Sequence, residues 1–130
     1  MISARIRRVV FSAVMGLVVF GAWAYAVNFH DPERRLTSAL SQGIFSFTFS
    51  LVVMSITEAT FAWMAGKRWQ VPVSIAVPIV TSVGCAAAIH VAAHTPSIVL
   101  TLLGPALVGA AYQTAYVLNL RRKAGVTDGA

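Results

Sequence analysis

Charge is what this sequence has least of. Only 11% of its 130 residues are Asp, Glu, Lys or Arg, against about a quarter in an ordinary globular domain. The few charges are also segregated: there are none from Val9 to Phe29, from Leu36 to Thr57, or from Trp69 to Leu120. A soluble fold of this size must cover itself with polar surface, and a chain that is 58% hydrophobic has too little of it. That excludes a water-soluble domain and leaves a bilayer as the solvent. Cysteine is nearly missing too. Cys85 is the single one, so no intrachain disulfide is possible. The net charge of +6 comes from short basic clusters with no aromatic interleaving, which excludes a nucleic-acid surface. There is no Ser-His-Asp arrangement, no phosphate-cradling glycine loop and no carboxylate pair within an apolar run, so catalysis is not expected and no cofactor is implied.

What is present is four apolar runs, each near the roughly 20 residues that a spanning helix needs. The expected fold is an all-α integral membrane protein: four transmembrane helices in an up-down bundle, over about 9–28, 36–65, 72–93 and 96–120, with a disordered tail over 124–130. The whole chain is then one transmembrane domain. Ala24-Tyr25-Ala26 looks like a signal-peptidase site, but the apolar run before it exceeds the usual length of about 7–15 residues, so it reads as a retained helix. Asp31-Pro32-Glu33 and Thr95-Pro96 have the chemistry of helix starts. Pro78 and Pro105 fall inside the third and fourth helices. Gly84, Ala88 and Ala92 in the third helix, like Ala106 and Ala110 in the fourth, form small-residue faces suited to close packing.

The basic residues set an orientation. Arg5, Arg7, Arg8, Lys67, Arg68, Arg121, Arg122 and Lys123 share one side, and Arg34 and Arg35 the other. The positive-inside rule then places both termini in the cytoplasm, in a cell inner membrane.

Within the runs, Glu58 is the one formal charge. Ser41, Thr48 and Ser55 follow heptad spacing toward it, and a polar stripe in lipid is expected to face inward. Gln113, flanked by Tyr112 and Tyr116, lies at matching depth in the fourth helix, so a Glu58–Gln113 hydrogen bond with a tyrosine nearby is expected. One reading makes Glu58 the titrating carboxylate of a small proton-coupled transporter or lipid flippase, with Ser55, Thr48, Gln113, Tyr112 and Tyr116 around the substrate or proton path. The other makes the polar groups helix glue in an accessory or scaffold subunit that works by helix–helix association. The second is the leading expectation, with the lipid bilayer, a homo-oligomer or a larger membrane complex as partners. His30, His90 and His94 fall at the outer end, His90 and His94 four apart on one helix face. They are the candidates for a metal, but without a defined third ligand no metal site is expected.

Overall fold

The computed structural model describes residues 4–128. Four helices make it up: α1 (Ala4–Val27), α2 (Arg35–Trp63), α3 (Gln70–Ala92) and α4 (Ile98–Asp128). Each packs on the next, α4 returns to α1, and α2 touches α4 across the middle. Short connections make neighbours antiparallel, as an up-down bundle requires. Arg35–Trp63, Gln70–Ala92 and Ile98–Gly125 are long and apolar enough to cross a membrane; the apolar stretch Ala13–Val27 of α1 is shorter.

The molecule is polar inside and apolar outside. Among the described residues Asn28, Ser38, Gln42, Ser46, Thr57, Ser74, His90, Thr95, Thr101 and Gln113 are buried, while the buried hydrophobic ones are Ala13, Ala24, Met64, Ala86 and Val117. Phe11, Phe29, Trp63, Val80 and Val99 are all more than half exposed. Lipid tails are as apolar as leucine, so helices surrounded by them gain little from burying large apolar side chains against each other. Close backbone approach and interhelical hydrogen bonds hold them instead.

The close approach is at the crossing of α1 and α2. A Cβ on Gly43 would stand 2.9 Å from the Leu17 carbonyl oxygen, and one on Gly21 would stand 3.2 Å from that of Ala39. The small-residue face expected on α3 is not the packed one. Gly84, Ala88 and Ala92 face outward, and a Cβ on Gly84 would meet nothing within 4 Å; Ala86 is the buried alanine.

Helix ends differ from expectation in three places: at the start of α1, which begins at Ala4 instead of about residue 9, and at both ends of α4. α4 continues through Arg121-Arg122-Lys123 to Asp128, where a stop and a disordered tail were expected. Lys and Arg are good helix formers and suit a helix C-terminus, so they do not end it. Residues 129 and 130 of that tail, and the side chains of Arg5, Arg7 and Arg8, lie outside the described residues. At the other end of α4, Thr95 does not serve as the cap, because its hydroxyl is engaged with His90. In the first loop Asp31 does act locally, its Oδ1 accepting the Arg34 N–H at 3.1 Å, and α2 proper starts at Arg35.

Candidate functional site: a bonded interior and a carboxylate–tyrosine pair

The inward face of α2 is set by Ser38, Gln42, Ser46 and Thr57. The first three recur every four residues, so they stack on one side of the helix. His90, in the last turn of α3, reaches across to them. Its Nε2 lies 2.7 Å from Gln42 Oε1 and its Nδ1 lies 2.7 Å from Thr95 Oγ1. The Gln42 amide nitrogen donates to Ser46 Oγ at 3.0 Å. Its oxygen therefore faces the ring, and the neutral imidazole carries its proton on Nε2, with Nδ1 accepting from the Thr95 hydroxyl. The Ser38 hydroxyl stands 3.2 Å from Thr95 Oγ1 and 2.9 Å from the Arg34 carbonyl oxygen, and its one proton serves one of the two.

Asn28 does the corresponding work between α1 and α4. Its Nδ2 donates to the Ala24 carbonyl and to Thr101 Oγ1, both at 2.8 Å, and its Oδ1 accepts the Ser97 N–H at 2.8 Å. A side chain from the end of one helix thus caps the start of another. Trp23 adds a bond from its indole N–H to the Leu100 carbonyl at 2.9 Å. A Cβ on Gly104 would stand 2.8 Å from that indole ring, so only glycine lets it lie there.

At the opposite end Gln113 is buried, and its amide nitrogen donates to Thr57 Oγ1 at 2.7 Å and to the Ser74 carbonyl at 3.1 Å. Ser74 Oγ is the one buried side-chain polar atom among the described residues that has no hydrogen-bond partner. Glu58, one residue after Thr57, is exposed and accepts the Tyr116 hydroxyl at 2.6 Å. Tyr112 stacks on Tyr116 with ring centroids 6.4 Å apart and sends its hydroxyl toward Met54 Sδ at 3.8 Å.

The expected Glu58–Gln113 bond is therefore replaced by two neighbouring ones: Gln113 with Thr57, and Tyr116 with Glu58. Both amide protons of Gln113 are already committed, so none is left for the carboxylate. The heptad stripe also faces the other way. Thr48 and Ser55 are exposed and Ser41 is half-buried. Hydroxyls occur all round α2, so their spacing alone does not choose a face. Gly43 does, by admitting the α1 backbone, and Gln42 lies beside it. With Thr37, Leu40, Ile44, Phe45 and Ile89, the outward residues Ser41 and Thr48 line an open groove of about 380 Å³ along α2 and α3.

The three histidines are not brought together. His90 is buried with both ring nitrogens occupied. His94 lies beyond the end of α3, exposed, with φ of 52°, so the helical i, i+4 relation is lost. His30 is exposed, its Nε2 3.4 Å from Ser97 Oγ. No group of three His, Cys, Asp or Glu side chains among the described residues is arranged to hold a metal. Asn28, Ser38, Gln42, Ser46, Thr95 and Thr101 were not foreseen as a cluster; the run of polar residues every fourth position from Ser38 is the signal that points to them. No protein-family model matches the chain, and neither a curated protein nor a solved structure matches it.

Proposed function

We propose that the chain is a small multi-pass membrane subunit, an accessory or scaffold that works by helix–helix association through the outward face of α2. In this reading all four helices cross a cell inner membrane, with both termini cytoplasmic by the distribution of Lys and Arg. The carrying observation is the division of polar groups on α2. Ser38, Gln42, Ser46 and Thr57 are bonded within the bundle. Thr37, Ser41 and Thr48 instead line a groove open to the outside. Hydroxyls and a shallow apolar groove suit a partner helix, because small polar groups bond across helices in lipid. The Thr95–His90 pair is a hydroxyl on an imidazole, but both are buried and the second ring nitrogen meets an amide, not a carboxylate, which argues against a nucleophilic role.

Proton-coupled transport of a small solute or lipid, with Glu58 as the titrating group, is the second reading. It is favoured by the 2.6 Å Tyr116–Glu58 contact, which joins α2 to α4 at the bundle surface. One set of preparations separates the two. Affinity purification in mild detergent with mass analysis is expected to yield a partner, or a second copy, in fixed ratio, and Ser41→Phe with Thr48→Phe is expected to abolish it by filling the groove. A lone monomer unaffected by those changes overturns the scaffold. Loss of efflux or lipid transfer in Glu58→Gln, with the complex intact, supports transport in its place.

A further inference from the structure

The two ends of the bundle differ sharply in charge. At the loop end stand two acids and two bases, Asp31 and Glu33 with Arg34 and Arg35. Their formal charges cancel, and Arg34 Nε lies 3.9 Å from Asp31; the Arg35 guanidinium lies over the Tyr25 ring at 4.6 Å. At the other end Lys67 and Arg68 occupy the turn between α2 and α3, and Arg121, Arg122 and Lys123 lie on α4, all exposed. The bonds from Gln113 to Thr57 and to Ser74 bring α4 alongside the end of α2 and the start of α3, so these cations belong to one end of one bundle.

Two of the cations are held over indole rings. Lys67 Nζ is 4.9 Å from the Trp63 ring centroid, and the Arg68 guanidinium is 4.9 Å from that of Trp69. Both indoles are mostly exposed, Trp63 at 72% and Trp69 at 55%. Exposed tryptophan settles at the boundary between acyl chains and headgroups. A cation stacked on such a ring is thereby held at the depth of lipid phosphates, where its attraction to anionic lipid is strongest.

From this juxtaposition we propose that the Lys67-Arg68 turn and the Arg121-Arg122-Lys123 segment of α4 form a binding surface for anionic phospholipid headgroups. The inference rests on membrane placement, not on the scaffold role, and does not depend on which side of the membrane the surface occupies. The aromatic rings set the depth and the guanidinium and ammonium groups contact the phosphates.

The test uses the full chain in detergent micelles with equal amounts of phosphatidylglycerol and phosphatidylcholine, and counts bound lipids by native mass spectrometry. The wild type is expected to retain phosphatidylglycerol in excess. That excess is expected to fall about thirtyfold in Lys67→Gln with Arg68→Gln, and similarly in Arg121→Gln with Arg122→Gln. Arg34→Gln with Arg35→Gln is expected to leave it unchanged. Equal retention of the two lipids by the wild type overturns the proposal, as does an equal loss from the Arg34 and Arg35 changes, which indicates bulk charge. Displacement by inorganic phosphate beyond that by chloride at the same ionic strength overturns it in favour of a free-anion site. Should the variants fail to fold, the wild type alone decides: retention of phosphatidylglycerol falling with added salt supports the surface, and retention indifferent to salt overturns it.

Discussion

His90 ties α3 both to α2 and to the loop that leads into α4. It bonds Gln42 of α2 through one nitrogen and Thr95 of the α3–α4 loop through the other. Removing it leaves the Gln42 amide oxygen buried without a partner, while Thr95 keeps only Ser38, and an orphaned buried polar group costs about 1–3 kcal/mol. His90→Ala is therefore expected to lower stability by about that amount in a denaturant titration of the detergent-solubilised protein. His94→Gly is the contrast. His94 is exposed with φ of 52°, a left-handed conformation that glycine adopts freely, and its contribution to the Arg34 contact is a backbone carbonyl that the change retains. That variant is expected to be neutral or slightly more stable. Sequence alone left the two histidines equivalent, because a period of 3.6 residues continued through Ala93 puts both on one face. It is the left-handed turn at His94 that separates them, and His is one of several residue types that adopt it, so nothing in the spacing announced it.

α2 shows what a helix long and apolar enough to cross a membrane conceals. Its length and lack of charge were legible, because about 20 consecutive apolar residues are a direct requirement of bilayer thickness. Its inward face was not. In water the apolar side of a helix declares itself as the buried side; here apolar residues lie outward and hydroxyls lie on every side, so periodicity has little contrast to read. Heptad counting through Ser41, Thr48 and Ser55 picked the outer face, and with it misplaced Glu58, which sits at the surface against Tyr116. The depth argument fared better, since it brought Gln113 to the level of Thr57 and Glu58 and Tyr116 to the carboxylate. Steric fit is the better guide to the face. Gly43→Ala sets a methyl group 2.9 Å from a backbone oxygen of α1, which has no side-chain freedom with which to yield. A loss of about 1–3 kcal/mol is expected, measured by the same titration. Gly84→Ala has no neighbour to meet and removes backbone freedom from the unfolded chain, so it is expected to be neutral or stabilising by up to about 1 kcal/mol.

For the chain as a whole, four helices in a ring with an apolar exterior followed from composition, whereas the identity of the interior contacts did not. In the proposed topology all four helices cross, so both ends of the chain lie on one side, the cytoplasmic one by the positive-inside rule. In a Cys85→Ser background, a cysteine at Glu33 is expected to react with a membrane-impermeant maleimide added to intact spheroplasts. One at Ala124 is expected to react only after the membrane is opened. Labelling in the reverse order places the termini outside, and labelling of both positions in intact spheroplasts removes the even count.

The Asn28 cap has a bearing on how the chain must be put together. Ser97 receives its acceptor from a residue near the end of α1, and His90 finds Gln42 in α2, so the two helical hairpins are clasped by groups that do not share a hairpin. The Met64–Trp69 turn contributes no bond to that clasp. It acts as a leash, keeping the halves within reach of each other while the grip itself is non-covalent. The start of α4 can therefore be completed only when α1 is already standing beside it. A chain produced as two separate pieces, parted within that turn, would still carry every group needed to find its other half.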